Sequence, residues 1–191
     1  MAEILERQQA TRHRLDLEAY YKMAEAGILG TNDRVELIDG EIFDMVPIGS
    51  EHGGTTNRLN RLFARAAADG LALVSVQGPL RLDAFNEPEP DLMLLKLRPD
   101  DYRGRHPGAT DVVLLVEISE TSLSHDRGTK LPLYAKFGVP EVWIVDLKGA
   151  AVEVYREPKG DGYALKERLI SGALAPVLLP GVTIDVGSLL A

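Results

Sequence analysis

Cysteine is absent from the 191 residues, which excludes disulfides and thiolate metal sites together. No run approaches the roughly 18 apolar residues that a membrane-spanning helix needs. The N-terminal stretch, with Glu3, Glu6, Arg7, Arg12 and Arg14, lacks the apolar centre of a signal peptide. These absences point to a cytoplasmic protein with no membrane partner. Internal repeats, low-complexity tracts and long linkers are also missing. Basic charge is scarce: 21 Lys and Arg stand against 29 Asp and Glu, a net charge of −8. Nucleic-acid coat proteins are normally basic, so non-specific coating is disfavoured. A local basic groove is compatible with that total, and acidic clusters that hold metal ions would lower it in the same way.

What is present suffices for a core. With 45% hydrophobic residues, the chain predicts one domain over residues 15–191 behind a loose polar segment over 1–14. Leu15 to Ala26 reads as a helix, with Asp16 as N-cap and Gly27 at its end. Asp39-Gly40 between two alternating runs signals a hairpin over Arg34 to Val46, with Val35, Leu37 and Ile42 inward. Glu36 then sits on the opposite face or lines a cleft. Glu51 to Ala68 reads as a second helix. Strands follow at Leu71 to Val76, Pro79 to Asp83, Pro90 to Lys96, Asp111 to Ser119, Val139 to Asp146 and Ala151 to Tyr155. Lys130 to Phe137 is helical, and Pro132 puts its start near Thr129 or slightly earlier. Short extended pieces from Tyr163 to Ile170 and Val182 to Val186 close the chain as a β-meander. The class is mixed α/β or α+β.

The central run, Val112 to Val116, is apolar without a break, as expected of a strand covered on both faces. Glu117 ends it, where an isolated buried charge costs several kcal/mol or more. A metal, a cation or exposure at the sheet's rim must compensate it. Asp91 opens the preceding buried run. If the two strands share a sheet, both carboxylates can converge on a hard divalent ion such as Mg²⁺, with the Ile118 carbonyl as a further oxygen. With Lys130 as origin on its helix, Tyr134 falls at about 40° and Phe137 at about 340°. The lysine therefore lies within the apolar face, where it either snorkels or pairs with a buried acid, Glu117 being the nearest candidate. Two carboxylates and a lysine are the parts of metal-assisted phosphodiester hydrolysis.

Pro90-Asp91 followed by Glu117-Ile118-Ser119 resembles the bipartite signature of the PD-(D/E)XK nuclease superfamily. Val35 to Glu41, Val116 to Ser119, the Asp126–Lys130–Tyr134 spacing and Gly138 to Asp146 are similar to the Uma-two family of restriction-endonuclease-like proteins, a likeness running from about Leu15 onward. The resemblance implies a restriction-endonuclease-like core, a mixed central sheet flanked by helices. It implies DNA as substrate, Mg²⁺ or Mn²⁺ held by Asp91 and Glu117, Glu36 as an additional acid, and two copies acting together on a duplex. The superfamily pattern has lysine two residues after the second acid. Here that position is Ser119, with Lys130 on the following helix standing in.

Arg58, Arg61 and Arg65 fall on one edge of the second helix, either as a solvated rim paired with nearby acids or, with Arg103 and Arg105 in the basic loop from Arg98 to His106, as the expected phosphate contacts. His52 reads as a helix-end polar residue, with a phosphate contact or a base role as the alternative, and Tyr134 as a packing residue first and a phosphate donor second. His125 and Asp126 read as a solvated loop, Asp146 as a turn acid. A non-catalytic binding module that kept the fold is the rival reading, with Lys130 and Glu117 as a structural ion pair. A glycosidase-type carboxylate pair is weak, because no aromatic platform for a sugar is present.

Overall fold

The buried runs of the sequence become the middle strands of a six-stranded sheet in the computed structural model, which describes residues 11–30 and 32–191. In chain order the elements are α1 (Leu17–Glu25), β1 (Val35–Ile38), β2 (Glu41–Asp44), α2 (Ser50–Ala68), β3 (Leu73–Val76), β4 (Leu92–Leu95), β5 (Val112–Ser119), α3 (Leu123–His125), a π-helical turn (Asp126–Lys130), α4 (Leu131–Lys136), β6 (Glu141–Asp146), β7 (Ala151–Lys159), β8 (Gly162–Leu169), β9 (Ala173–Leu174), β10 (Ile184–Asp185) and α5 (Val186–Leu190). The sheet order is β3-β4-β5-β6-β7-β8. Only β5 and β6 run parallel, and the other neighbours are antiparallel. The parallel pair needs a crossover, and α3, the π turn and α4 supply it.

Side-chain alternation sorts the core into two layers. Leu114, Val116 and Ile118 of β5, with Trp143 and Val145 of β6, pack with Leu59 and Phe63 of α2 and Leu189 of α5. Leu115, Val142 and Ile144 pack on the other face with Tyr134 of α4. All eight residues of β5 are buried, as the uninterrupted apolar run requires. The β1–β2 hairpin stands apart as its own ladder, bridged to the loop before β4 by Leu37 and Glu87.

Three local expectations change. Pro79 to Asp83 makes no ladder strand: Leu80 N–H donates to Pro88 O at 2.8 Å and a lone bridge joins Asp83 to Asn86. The facing segment carries Pro88 and Pro90, which have no N–H to return. The helix over Lys130 begins well before Thr129, because the chain winds wider ahead of Pro132. Leu131 N–H reaches back five residues to Asp126 O, so the proline is met by a loosened turn. Residues 186–190 are helical, with Asp185 accepting from Ser188 N–H at 2.7 Å as N-cap, a helix too short to show a period. The expected loose segment over 1–14 falls largely outside the described residues. Within it, Arg12 pairs with Glu41 at 2.7 Å and Arg14 with Asp39 at 2.5 Å.

Asp39 and Gly40 both have positive φ, 52° and 75°, the pair that a two-residue type I′ hairpin turn demands. A Cβ on Gly40 would lie 2.7 Å from the Arg14 Cβ and 3.0 Å from Leu15 O. Gly40→Ala is expected to destabilise by about 1–3 kcal/mol. Gly54, inside α2, has nothing within 4 Å of an added Cβ, and Gly54→Ala is expected to stabilise by about 0.5–1 kcal/mol. Thermal unfolding should move in opposite directions for the two.

Candidate active site

Alternation along β5 sends Glu117 to the same face as Leu115, toward α4. There it is 3% exposed, and its Oε1 accepts from Lys130 Nζ at 2.9 Å and the Tyr134 hydroxyl at 2.6 Å. Asp91 arrives differently. The β4–β5 ladder ends at Leu92 opposite Val116, and β5 runs on past it. The next β5 donor on that side, Ile118 N–H, is taken by Asp91 Oδ2 at 2.8 Å. A strand residue's N–H and C=O project to the same side, so the Ile118 carbonyl is directed to the side where Asp91 stands.

Glu36 comes from β1, and its Oε2 lies 3.1 Å from Lys130 Nζ and accepts from Glu89 N–H, also at 3.1 Å. Its Oε1 is 3.5 Å from His125 Nε2. Lys130, 4% exposed, is thus an ammonium held between two carboxylates from different elements. Burial alone would raise Glu36, but Lys130, His125 and the Glu89 amide overturn it and hold the carboxyl down to about 2. Complete burial pushes Glu117 the other way, up to about 8; Lys130 opposes the shift, Asp126 and Asp91 add to it. Lys130 itself is raised, its neighbouring acids outweighing its burial.

Ser119 occupies the superfamily's usual lysine position, and its hydroxyl donates to Asp126 Oδ2 at 2.6 Å. Ser122 donates to the same oxygen at 2.6 Å. Asp126 is accordingly buried, not part of a solvated loop. The spacing of four between Asp126 and Lys130 puts both on one helical face, and that spacing is the signal that could have revealed it.

Glu36, Asp91, Glu117, Lys130 and His52 all line one cleft of ≈ 280 Å³. His52 Nε2 is 3.1 Å from Asp91 Oδ2, and that hydrogen bond raises its pKa; its Nδ1 is buried without a partner. Tyr134 lies behind the cleft, fully buried and committed to Glu117, so packing and support are its place. The expected phosphate contacts are elsewhere. Arg58 donates to the Ser188 and Leu189 carbonyls, at 2.6 and 3.1 Å, and Arg65 lies 3.7 Å from Asp69. Arg105 is bidentate on Asp111, and neither it nor Arg61 nor Arg103 lines the cleft. Sequence reasoning passed over Arg34 and Glu89, which do line it. Neither sits in a recognisable motif. Asp146 accepts from Gly149 N–H at 2.8 Å, the turn role expected of it.

Glu36, Asp44, Glu89, Asp91, Glu117, Glu120 and Asp126 face Arg34 and Lys130 across this cleft, an excess of carboxylates. Among the described residues no hydrogen bond uses Asp91 Oδ1 or Glu117 Oε2, and neither is a sealed orphan. No group of three or more His, Cys, Asp or Glu side chains is arranged to hold a metal ion among those residues. Asp91 and Glu117 thus each keep one carboxylate oxygen free on the cleft, and two carboxylates with water are a ligand set that hard cations such as Mg²⁺ accept.

Among solved structures, the fold is similar to that of a protein from Anabaena variabilis titled "putative nuclease belonging to DUF820". The identity is 14% and the TM-score 0.69, over 92% of this chain and 97% of that one. This is a nuclease-like α/β fold built on a mixed six-stranded sheet. The family model Uma2, described as "Putative restriction endonuclease", matches residues 17–187, and the chain belongs to that family. No curated protein matches it. No helix among the described residues is long and apolar enough to cross a membrane.

The two glutamates make opposite contributions to stability as pH changes. Glu36 titrates lower folded than unfolded, so its contribution is lost as pH falls from about 4.5 toward 2. Glu117 titrates higher folded, so the folded state binds the extra proton and stability falls as pH rises from about 4.5 to about 8. Urea unfolding in EDTA across that upper window should show the decline, and Glu117→Gln should flatten it.

Proposed function

We propose that this chain is a Mg²⁺- or Mn²⁺-dependent endonuclease that hydrolyses phosphodiester bonds in DNA. One observation carries the reading: the Lys130 ammonium is fixed between Glu36 and Glu117 in a cleft that Asp91 also lines. Asp91 and Glu117 would hold the cation, with the Ile118 carbonyl as a third protein oxygen. When bound, the cation lowers the pKa of a water and neutralises charge on the phosphate. Lys130 has three N–H donors. Glu36 and Glu117 take two, leaving one for the attacking water or a non-bridging phosphate oxygen. Glu36, held ionised, acts as a positioning residue that keeps the ammonium in place. Tyr134 fixes Glu117 from behind. A cytoplasmic location suits a DNA substrate, and two copies working together would cut both strands of a duplex.

Purified protein with supercoiled plasmid and Mg²⁺ or Mn²⁺ should nick it. Asp91→Ala, Glu117→Ala and Lys130→Met should each lower the rate by at least about a hundredfold. Lys130→Met leaves two buried carboxylates unpaired and should also destabilise by about 3–5 kcal/mol, so each variant's unfolding midpoint must accompany its rate. Equal nicking by all variants would sink the assignment. Metal-dependent binding without cutting, in every metal and substrate tried, would support the non-catalytic module instead.

The excess of carboxylates makes a second, independent demand. Without a cation the cleft repels a polyanion. Fluorescence anisotropy with labelled DNA should show no binding in EDTA and binding in Ca²⁺, which occupies oxygen sites without a requirement for catalysis. Tight binding in EDTA would contradict the reading.

A further inference from the structure

The open end of the β1–β2 hairpin walls one side of the cleft, and the hydrolysis scheme makes no use of it. Arg34, just before β1, and Met45, just after β2, are paired there through Met45 N–H donating to Arg34 O at 2.8 Å. Arg34 is exposed and lines the cleft. Among the described residues its guanidinium makes no ion pair and no hydrogen bond, although carboxylates line the same cleft. Other arginines are committed to carboxylates: Arg81 to Glu87, Arg127 to Glu153, Arg156 to Glu141. Beyond Met45 the same wall presents Val46, 58% exposed, and Ile48, 42% exposed, both lining the cleft.

An unpaired guanidinium beside an apolar lip matches the two ends of a nucleotide. The guanidinium suits a phosphate, which it can grip bidentately. The lip suits a base or sugar, but a base offers its faces only when it is out of the stack. Apolar side chains next to a backbone track are also the means by which proteins part stacked bases. A cleft of ≈ 280 Å³ is of the size that takes a nucleotide-scale group, such as a phosphate with an unstacked base or its sugar.

We propose that this wall is a nucleotide-recognition site: Arg34 grips the phosphate next to the scissile one, and Val46 and Ile48 pack an unpaired base or its sugar. The substrate class is then single-stranded DNA, or a duplex whose strands are parted at the point of cutting. The proposal rests on the nuclease reading of the same cleft.

Fluorescein-labelled single-stranded DNA and a duplex of the same length, titrated with protein in Ca²⁺ at several salt concentrations, test it. The wild type should bind the single strand at least about tenfold more tightly than the duplex. Arg34→Ala should weaken single-strand binding by about tenfold, the worth of one charge-assisted contact. It should also reduce the salt slope by roughly 0.7, the share of one phosphate on a single strand. Arg34→Lys should restore that slope without all of the affinity. Val46→Ser combined with Ile48→Ser should erase the strand preference and leave the slope alone. Unfolding midpoints should stay at the wild-type value, since all three side chains are exposed. Equal or tighter duplex binding, or an Arg34→Ala slope like the wild type's, overturns this proposal while the nuclease reading stands. Absence of binding to either DNA in Ca²⁺ overturns both.

Discussion

One ammonium holds the site together. Lys130 is buried, and a buried charge is tolerable only when paired. Its partners come from two separate elements, Glu36 on the hairpin and Glu117 on the central strand, at 3.1 and 2.9 Å. Each carboxylate is itself too buried to remain comfortably ionised alone. The three groups therefore fix the hairpin, the sheet and the crossover helix relative to one another, and none can be placed without the other two. The wide turn at Asp126–Lys130 belongs to the same constraint, since it delivers Lys130 inward just ahead of a proline that an ordinary helical turn would have to accommodate.

The charges are not balanced by that lysine. Glu36 and Glu117 share one cation between them, and they are displaced in opposite directions, Glu36 down and Glu117 up. Glu36 has the additional help of His125 and the Glu89 amide, whereas Glu117 faces Asp91 and Asp126. A divalent ion at Asp91 and Glu117 would address the larger deficit. The net charge of −8, which stands against nucleic-acid binding when averaged over the whole chain, changes meaning at this scale. Under the proposed function, acid concentrated in the cleft draws cations first and phosphate only through them.

Much of this was legible in the sequence because it rested on short-range rules. The apolar run of β5, the Asp39-Gly40 turn, the Asp16 cap and the inward placement of Lys130 each follow from alternation, turn chemistry or helical phase, and each is seen. What was not legible depended on who meets whom. The arginines of α2 share an edge as their phase requires, but Arg58 meets the carbonyls of α5, a helix that five residues cannot announce. Arg34 shows no pattern at all, and only the hairpin's docking brings it to the cleft. Asp126 read as part of a solvated loop because its partners, Ser119 and Ser122, are polar residues whose hydroxyls turn inward only once the crossover packs.

Ser119 reads differently in three dimensions. Side chains two apart on a strand project to the same face, so a lysine at this position would enter the region that Glu117 occupies. Lys130 enters that region from the helix instead, and Ser119 has become a donor that pins Asp126 at the start of the turn carrying Lys130. Under the proposed function, the strand lysine of the pattern that Asp91 and Glu117 resemble and this chain's helix lysine would be two routes to one electrostatic arrangement. Here the Ser119–Asp126 bond ties the end of β5 to the start of the turn that carries Lys130. The departure from the superfamily pattern thus lies in which element supplies the ammonium, and the ammonium still meets the second acid of the pair.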